Sequence, residues 1–341
     1  MVMTNERTLD ARPAPARGDA TRRWRDIAVL AGLFALVLAG LAALAAATGW
    51  EETLAGLRSV TGPELGLLLA LSLVNYLFRG LRWHLFARRL GLPTTLRQDI
   101  RHFLGGFAMS VTPGRVGELV RMRWLRRETG WSFERTAPLV LIDRASDLAA
   151  MALLLALALA FSATGIAGAL PVVGLALAAA WVATRPRLLR LAATLGYRAT
   201  GVARRLFARV RRASLSLEAF QSPALLTLAT VLGLIGWAAE GVAFWFLLDW
   251  MGADVGLSAA MAIFIFATLA GGLTGAPGGV GGAEAAMVAL LALEGVPLEI
   301  SVPATLIIRV TTLWFAIGIG LAVFPFAERL SNRKSHALER G

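Results

Sequence analysis

Arg144 and Arg309 each lie six residues after a proline, Pro138 and Pro303, and each follows a glycine-rich break. The breaks are Pro113-Gly114-Arg115-Val116-Gly117 and Pro277-Gly278-Gly279-Val280-Gly281. Six residues into a helix is about 9 Å along its axis. At that depth in a membrane an arginine costs at least about 2.5 kcal/mol on insertion scales, so it is expected to be paired or functional. A helix that restarts after Pro113-Gly114 or Pro277-Gly278 presents free N–H groups and the positive end of its dipole, which suits a phosphate or carboxylate. Arg115 and Arg121 flank the first break and add positive charge. The expected chemistry is therefore recognition of an anion by Pro113, Gly114, Arg115, Gly117, Arg121, Arg144, Pro277, Gly278, Gly279, Gly281 and Arg309. Asp143, Asp147, Glu118, Glu240 and Glu284 are the carboxylates within reach of this set. They are expected to pair the arginines, carry protons or meet a cationic headgroup.

Each feature also has a plainer reading. The glycines would serve close helix packing alone. Arg144 would snorkel to an interface, with Asp147 neutralising it as an i,i+3 partner. Arg123, Arg126 and Arg127 read best as an interfacial group resting on anionic lipid. What weighs against the plain reading of the glycines and of Arg144 and Arg309 is repetition. P-G-x-V-G followed by P-x-x-L-I-x-R occurs twice, with 31 residues from first proline to arginine in one copy and 32 in the other. A fainter echo aligns Arg79-Gly80 and Gly91 with Glu240-Gly241 and Gly252.

The elements that must hold these residues are apolar. Of 341 residues 57% are hydrophobic and 16% charged, too few charges for a soluble domain. The chain reads as an all-α polytopic membrane protein. Spans are expected at 27–48, from 65–78 and on to 86, at 138–161, 167–184, 224–248 and 303–326. Two pairs of shorter segments, 100–111 with 116–125 and 256–276 with 278–293, flank the breaks. That makes about six full transmembrane helices plus two re-entrant helical hairpins. Irregular backbone at membrane depth is tolerated only where it faces protein or a water-filled cavity, so two such breaks imply a polar cavity. Residues 1–26 and 327–341 read as cytoplasmic tails, and 185–222, with nine arginines, as a basic cytoplasmic segment. Arginine-rich segments at the N-terminus, 79–135, 185–212 and the C-terminal tail place both termini in the cytoplasm. The repeats, about 65–161 and 224–326, then run with inverted topology, their hairpins entering from opposite faces. Cysteine is absent, and His84, His102 and His336 form no ligand spacing, so neither metal nor other cofactor is expected.

Ser110-Val111-Thr112-Pro113-Gly114-Arg115-Val116-Gly117-Glu118 followed by Arg121, the Asp143-Arg144 and Asp147 cluster, and Ala276 to Gly281 with Glu284 resemble the lysylphosphatidylglycerol synthase transmembrane family. The resemblance covers roughly residues 27–326. It brings Thr112 into the binding set and implies a bacterial inner-membrane location. It also implies transfer of lipid between leaflets, which fused members perform on aminoacylated phosphatidylglycerol. The chain stops at Gly341 without an aminoacyl-transferase domain, so it is not expected to make such a lipid. The expected function is a flippase that moves an anionic or zwitterionic phospholipid by alternating access, with membrane lipids, and a lipid-synthesis enzyme, as partners and no nucleic acid. A membrane-embedded transferase and an accessory subunit of an envelope-assembly complex are the alternatives.

Overall fold

A computed structural model describes residues 58–110, 119–161, 169–200, 217–274 and 276–338, with Ala39, Glu51 and Ala55. The tail 1–26, the span 27–48 apart from Ala39, residues 201–216 and the first hairpin tip lie outside the described residues. With that tip go Thr112, Pro113, Gly114, Arg115, Gly117 and Glu118. Among the described residues the regular elements are all helical, and the chain is an all-α polytopic membrane protein.

The first half is α1 (Gly62–Arg89), α2 (Leu96–Gly106), α3 (Val120–Thr129) and α4 (Phe133–Ala160). Two helices follow, α5 (Ala169–Thr184) and α6 (Pro186–Thr200). The second half is α7 (Pro223–Trp250), α8 (Leu257–Leu273), α9 (Gly282–Leu293) and α10 (Leu298–Arg309). A π-helical turn, Val310–Trp314, joins α10 to α11 (Phe315–Leu338). Among the described residues three stretches are long and apolar enough to cross a membrane: Gly62–Arg89, Pro223–Trp250 and Leu298–Arg333. The spans run past their expected bounds because caps, not the first charge, end them. Glu64 accepts from the Thr61 N–H at 2.7 Å and starts α1, which runs to Arg89 and is closed by the left-handed Gly91. The segment after Arg185 is helical through Thr200, and α11 continues to Leu338, well past Phe326.

The duplication in the letters has a counterpart in the packing. Leu90, Gly91 and Leu92 donate to the carbonyls of Phe86, Arg88 and Ala87, and Met251, Gly252 and Ala253 donate to Leu247, Asp249 and Leu248 in the same order. Gly91 and Gly252 take φ of 82° and 80°, the left-handed cap that glycine supplies most cheaply. Gly80 lies against Ile100 of α2 and Gly241 against Met261 of α8, so each long helix meets the next through its own glycine. α1 and α7 cross where Gly236 approaches Asn75, and each of these stands five residues before that glycine. One further pair of contacts is exchanged between halves: α4 packs on α8, while α11 packs on α2.

Lipid tails are as apolar as leucine, so burial alone cannot hold such helices together, and close packing must contribute. Among the described glycines the tightest approach to backbone is at Gly320 of α11, where an added Cβ would lie 2.2 Å from the Ala108 nitrogen. Gly320→Ala is expected to destabilise the protein by about 1 to 3 kcal/mol through overpacking against the first hairpin. Thermal unfolding in detergent reads this directly.

Candidate functional site

A polar stripe on α1, Ser72, Asn75, Arg79 and Arg82, recurs at helical spacing and is buried. It faces Asp143 and Asp147 of α4. Arg79 grips Asp147 with two bonds, from Nε at 3.0 Å and Nη2 at 2.6 Å. Arg82 Nη2 bridges both acids, 2.7 Å from Asp143 Oδ1 and 2.6 Å from Asp147 Oδ1. Arg144 approaches the same pair, Nη2 donating to Asp143 at 3.2 Å and Nη1 standing 3.7 Å from Asp147. Trp237 of α7 closes the cluster, its ring 4.8 Å from the Arg79 guanidinium and its indole N–H 3.4 Å from Asp147. Such forks satisfy planar guanidinium and carboxylate groups together, which is how charges survive burial. Arg79 and Arg82 open the arginine-rich stretch 79–135, yet the structure buries both inside the protein, with Arg82 fully inaccessible.

The second break folds into a short 3₁₀ turn, Pro277–Gly279, with Gly278, Gly279 and Gly281 all at positive φ. α9 therefore begins at Gly282 rather than directly after Pro277-Gly278. Its N-terminus already holds an anion, because the Gly281 N–H donates to Glu284 Oε2 at 2.7 Å. Arg309 fixes that carboxylate, donating from Nε to Oε1 at 2.6 Å and from Nη2 to the Gly278 carbonyl at 2.9 Å. One N–H at this helix start, that of Gly281, is thus taken from within. Arg309 is the clamp of the hairpin turn.

Beside these groups lies a cavity of about 380 Å³. Arg144, Asp147, Arg309, Gly278 and Gly279 line it, with Leu148, Met151, Val172, Leu175 and Leu273 forming the apolar part of the wall. Leu175 and Leu273 are 59% and 67% exposed, so this part of the wall reaches the protein surface. A smaller cavity of about 50 Å³ is lined by Tyr76, Arg79, Phe107, Glu240, Arg309, Thr312, Leu313 and Ala316. Tyr76 donates its hydroxyl to the Thr312 carbonyl inside the π-helical turn. Glu240 lines this small cavity and not the large one.

Arg121 lines neither cavity. Its guanidinium sits 4.5 Å from the Phe103 ring and 5.3 Å from that of Trp83, bracing α3 against Gly106 of α2. Arg123 and Arg127 pair with Glu328 of α11 at 2.7 and 2.6 Å, so they tie the first hairpin to the last helix. Arg126 is exposed. Sequence reasoning missed Arg79, Arg82, Asn75, Tyr76 and Trp237 as members of the site. The i, i+3, i+7, i+10 polar stripe of α1 was the signal that marks the first three.

The model of the lysylphosphatidylglycerol synthase TM region matches residues 27–320. Two stretches are similar to proteins described as UPF0104 membrane protein from Methanothermobacter thermautotrophicus. One is 29% identical over 90 residues, 26% of this chain and 27% of the relative; the other is 31% identical over 94 residues, 28% of each. The matches thus span little more than a quarter of the length of these curated relatives. With matched arginines beside an amphipathic cavity and a family match over most of its length, the chain belongs to the lysylphosphatidylglycerol synthase transmembrane-region family.

Proposed function

We propose that the protein moves a phosphate-bearing lipid between membrane leaflets by alternating access. One observation carries this reading: guanidinium groups of Arg144 and Arg309 share a cavity whose remaining wall is largely aliphatic and reaches the surface. A headgroup would meet the charged part while its chains stay among Leu148, Met151, Leu175 and Leu273. Membership of a family named for a lipid synthase supports a lipid substrate.

The paired contacts support an inverted repeat. Contacts in which element i of one half meets j of the other, and j meets i, are the mark of a two-fold relation. The two cavities fit the same relation. Arg144, Asp147, Leu148 and Met151 line the large one, and the residues at matched distances in the second copy, Arg309, Thr312, Leu313 and Ala316, line the small one. Trp237 and Tyr76, each three residues before the aligned Glu240 and Arg79, make the matching pair on α7 and α1. One site is thus large and its counterpart small, an asymmetry that fits two halves exchanging conformations to carry a substrate across. With both termini in the cytoplasm, the two sites serve opposite faces of a bacterial inner membrane.

Purified protein reconstituted in vesicles is expected to speed leaflet exchange of a labelled phospholipid over protein-free vesicles. Exchange no faster than in protein-free vesicles, with the protein folded and inserted, would refute the proposal.

A further inference from the structure

We infer that α6 is an interfacial anchor: it lies flat on the cytoplasmic leaflet, its leucine face among the acyl chains and its arginines on anionic headgroups. The lipid here is the surface on which the protein rests and not a cargo, so the inference stands apart from the transport proposal. It starts from the pattern of one short helix. Pro186–Thr200 has 15 residues, about 22 Å at 1.5 Å per residue, which falls short of the roughly 30 Å of hydrocarbon that a span must cross. At about 100° per residue Leu188, Leu191 and Leu195 share one face within about 60° of arc. Arg187, Arg190 and Arg198 fall together on the adjoining flank, with Thr194 and Tyr197 among them. Leu191 and Leu195 are 55% and 52% exposed, so the leucine face is open rather than packed. Among the described residues the main packing partner of α6 is the preceding helix, α5. Leucine on one face and arginine on its flank is the pattern of a helix that lies in the plane of a membrane surface.

What points to a leaflet as the occupant is where α6 begins. Its base is pinned to the arginine-bearing end of α1. Gln221 Nε2 donates to the Thr184 carbonyl at 2.7 Å, and Arg185 Nη1 donates to Gln221 Oε1 at 3.3 Å. Beside Gln221, the Ala219 carbonyl accepts from Arg89 Nε at 2.9 Å, and Phe220 meets Phe86 edge-on with ring centroids 5.6 Å apart. Arg88 and Arg89 close α1 at this level. α5 reaches it near Trp181, which is 57% exposed and of the type that settles at the headgroups. α6 therefore springs from the membrane boundary, and the nearest apolar medium for its open leucines is the acyl region of that leaflet. The charge matches such a surface too, since from Arg185 to Leu217 the chain carries nine arginines and no acid. Anchoring α6 would also steady α5, which contributes Val172, Leu175, Ala176 and Ala179 to the wall of the large cavity.

The chain contains no cysteine, so one introduced cysteine gives a unique site for a nitroxide label on the full-length protein. Leu191→Cys, Leu195→Cys and, on the polar flank, Tyr197→Cys are labelled and reconstituted in two kinds of vesicle. One is phosphatidylcholine alone and the other equal parts of phosphatidylcholine and phosphatidylglycerol. Relaxation by oxygen, which concentrates in the bilayer, against relaxation by a water-soluble nickel chelate gives the depth of each label. In the mixed vesicles the labels on Leu191→Cys and Leu195→Cys are expected below the phosphates and that on Tyr197→Cys at or above them. Charge is read by adding Arg187→Gln with Arg198→Gln to labelled Leu191→Cys. This pair is expected to lower the ratio of inserted to detached α6 about thirtyfold at low salt, about fivefold for each arginine near an anionic surface. Labels on Leu191→Cys and Leu195→Cys that stay as water-exposed as that on Tyr197→Cys would overturn the inference and hand the face to a protein partner. A ratio equal in the two kinds of vesicle would overturn it too, because leucine burial alone would then hold the helix. If the arginine variant fails to fold, the two vesicle compositions decide on the remaining proteins. None of these readings depends on leaflet exchange.

Discussion

Replacing Asp147 by alanine is expected to cost about 3 to 5 kcal/mol of stability, the penalty for leaving a buried charge without its partner. The effect should stand near the top of that range because Asp147 serves three arginines. Arg79 and Arg82 contact it at 2.6 Å and Arg144 at 3.7 Å, and both Arg79 and Arg82 are buried. After the substitution Arg79 retains its hydrogen bond to Asn75, at 3.2 Å, and Arg82 retains Asp143. Asp147→Asn keeps one acceptor oxygen but turns an NH₂ group toward guanidinium donors, so an intermediate loss is expected. Adding Arg79→Met to Asp147→Ala should recover part of the loss, because it removes a stranded charge and fills its volume. Unfolding in detergent, followed by tryptophan fluorescence, measures all three. A melting temperature for Asp147→Ala equal to wild type would show that the cluster does not hold α1 to α4.

The second large effect is expected at Arg309. Its side chain joins three things at one point: the Gly278 carbonyl in the turn, the Glu284 carboxylate and, through Glu284, the N-terminus of α9. Lysine offers one compact ammonium on a flexible stem and cannot span both acceptors in fixed geometry. Arg309→Lys is therefore expected to lose most of what Arg309→Ala loses, again about 3 to 5 kcal/mol. The double variant Arg309→Ala with Glu284→Ala should cost clearly less than the sum of the single ones, because the two groups share one interaction. Limited proteolysis at the 276–281 turn gives a local readout beside global unfolding. Additive losses would separate Arg309 from Glu284 and refute the clamp.

Much of this arrangement could be read from the letters because the chain states it twice. A lone Pro-Gly-Gly break has many uses, but two breaks with arginines at matched distances pointed to paired hairpins, and Arg144 and Arg309 do line one cavity. Asp143 and Asp147 were legible as partners of Arg144 through helical spacing alone. Their stronger partners were not. Arg79 and Arg82 stand next to Arg88, Arg89, Arg97 and Arg101, and in a linear reading that run marks a membrane surface. The long helix to Arg89, set by its glycine cap, is what leaves them inside. The echo around Gly80 and Gly241 is faint in the letters, yet each glycine sits where its long helix meets the next. Two features had no linear signal: the π-helical turn after Arg309, and the packing of Trp237 against Arg79. Both depend on which helices face each other across the middle of the protein, and spacing along one helix does not contain that.

Arg309 also changed meaning between the two readings. By sequence it was an anion ligand equivalent to Arg144; in the structure it clamps the turn and meets the cavity as part of its wall. Matched positions in a duplicated chain need not keep matched tasks. Arg144, half-buried and held at longer range by its acids, is the better placed of the two to meet a headgroup.

Leaflet exchange of a labelled phospholipid in vesicles, compared between wild type and Arg144→Ala at equal insertion, tests the central claim most directly. Fast exchange by wild type, reduced at least about tenfold in Arg144→Ala while its melting temperature changes little, is the expected result. Equal exchange rates in the two proteins would contradict the account.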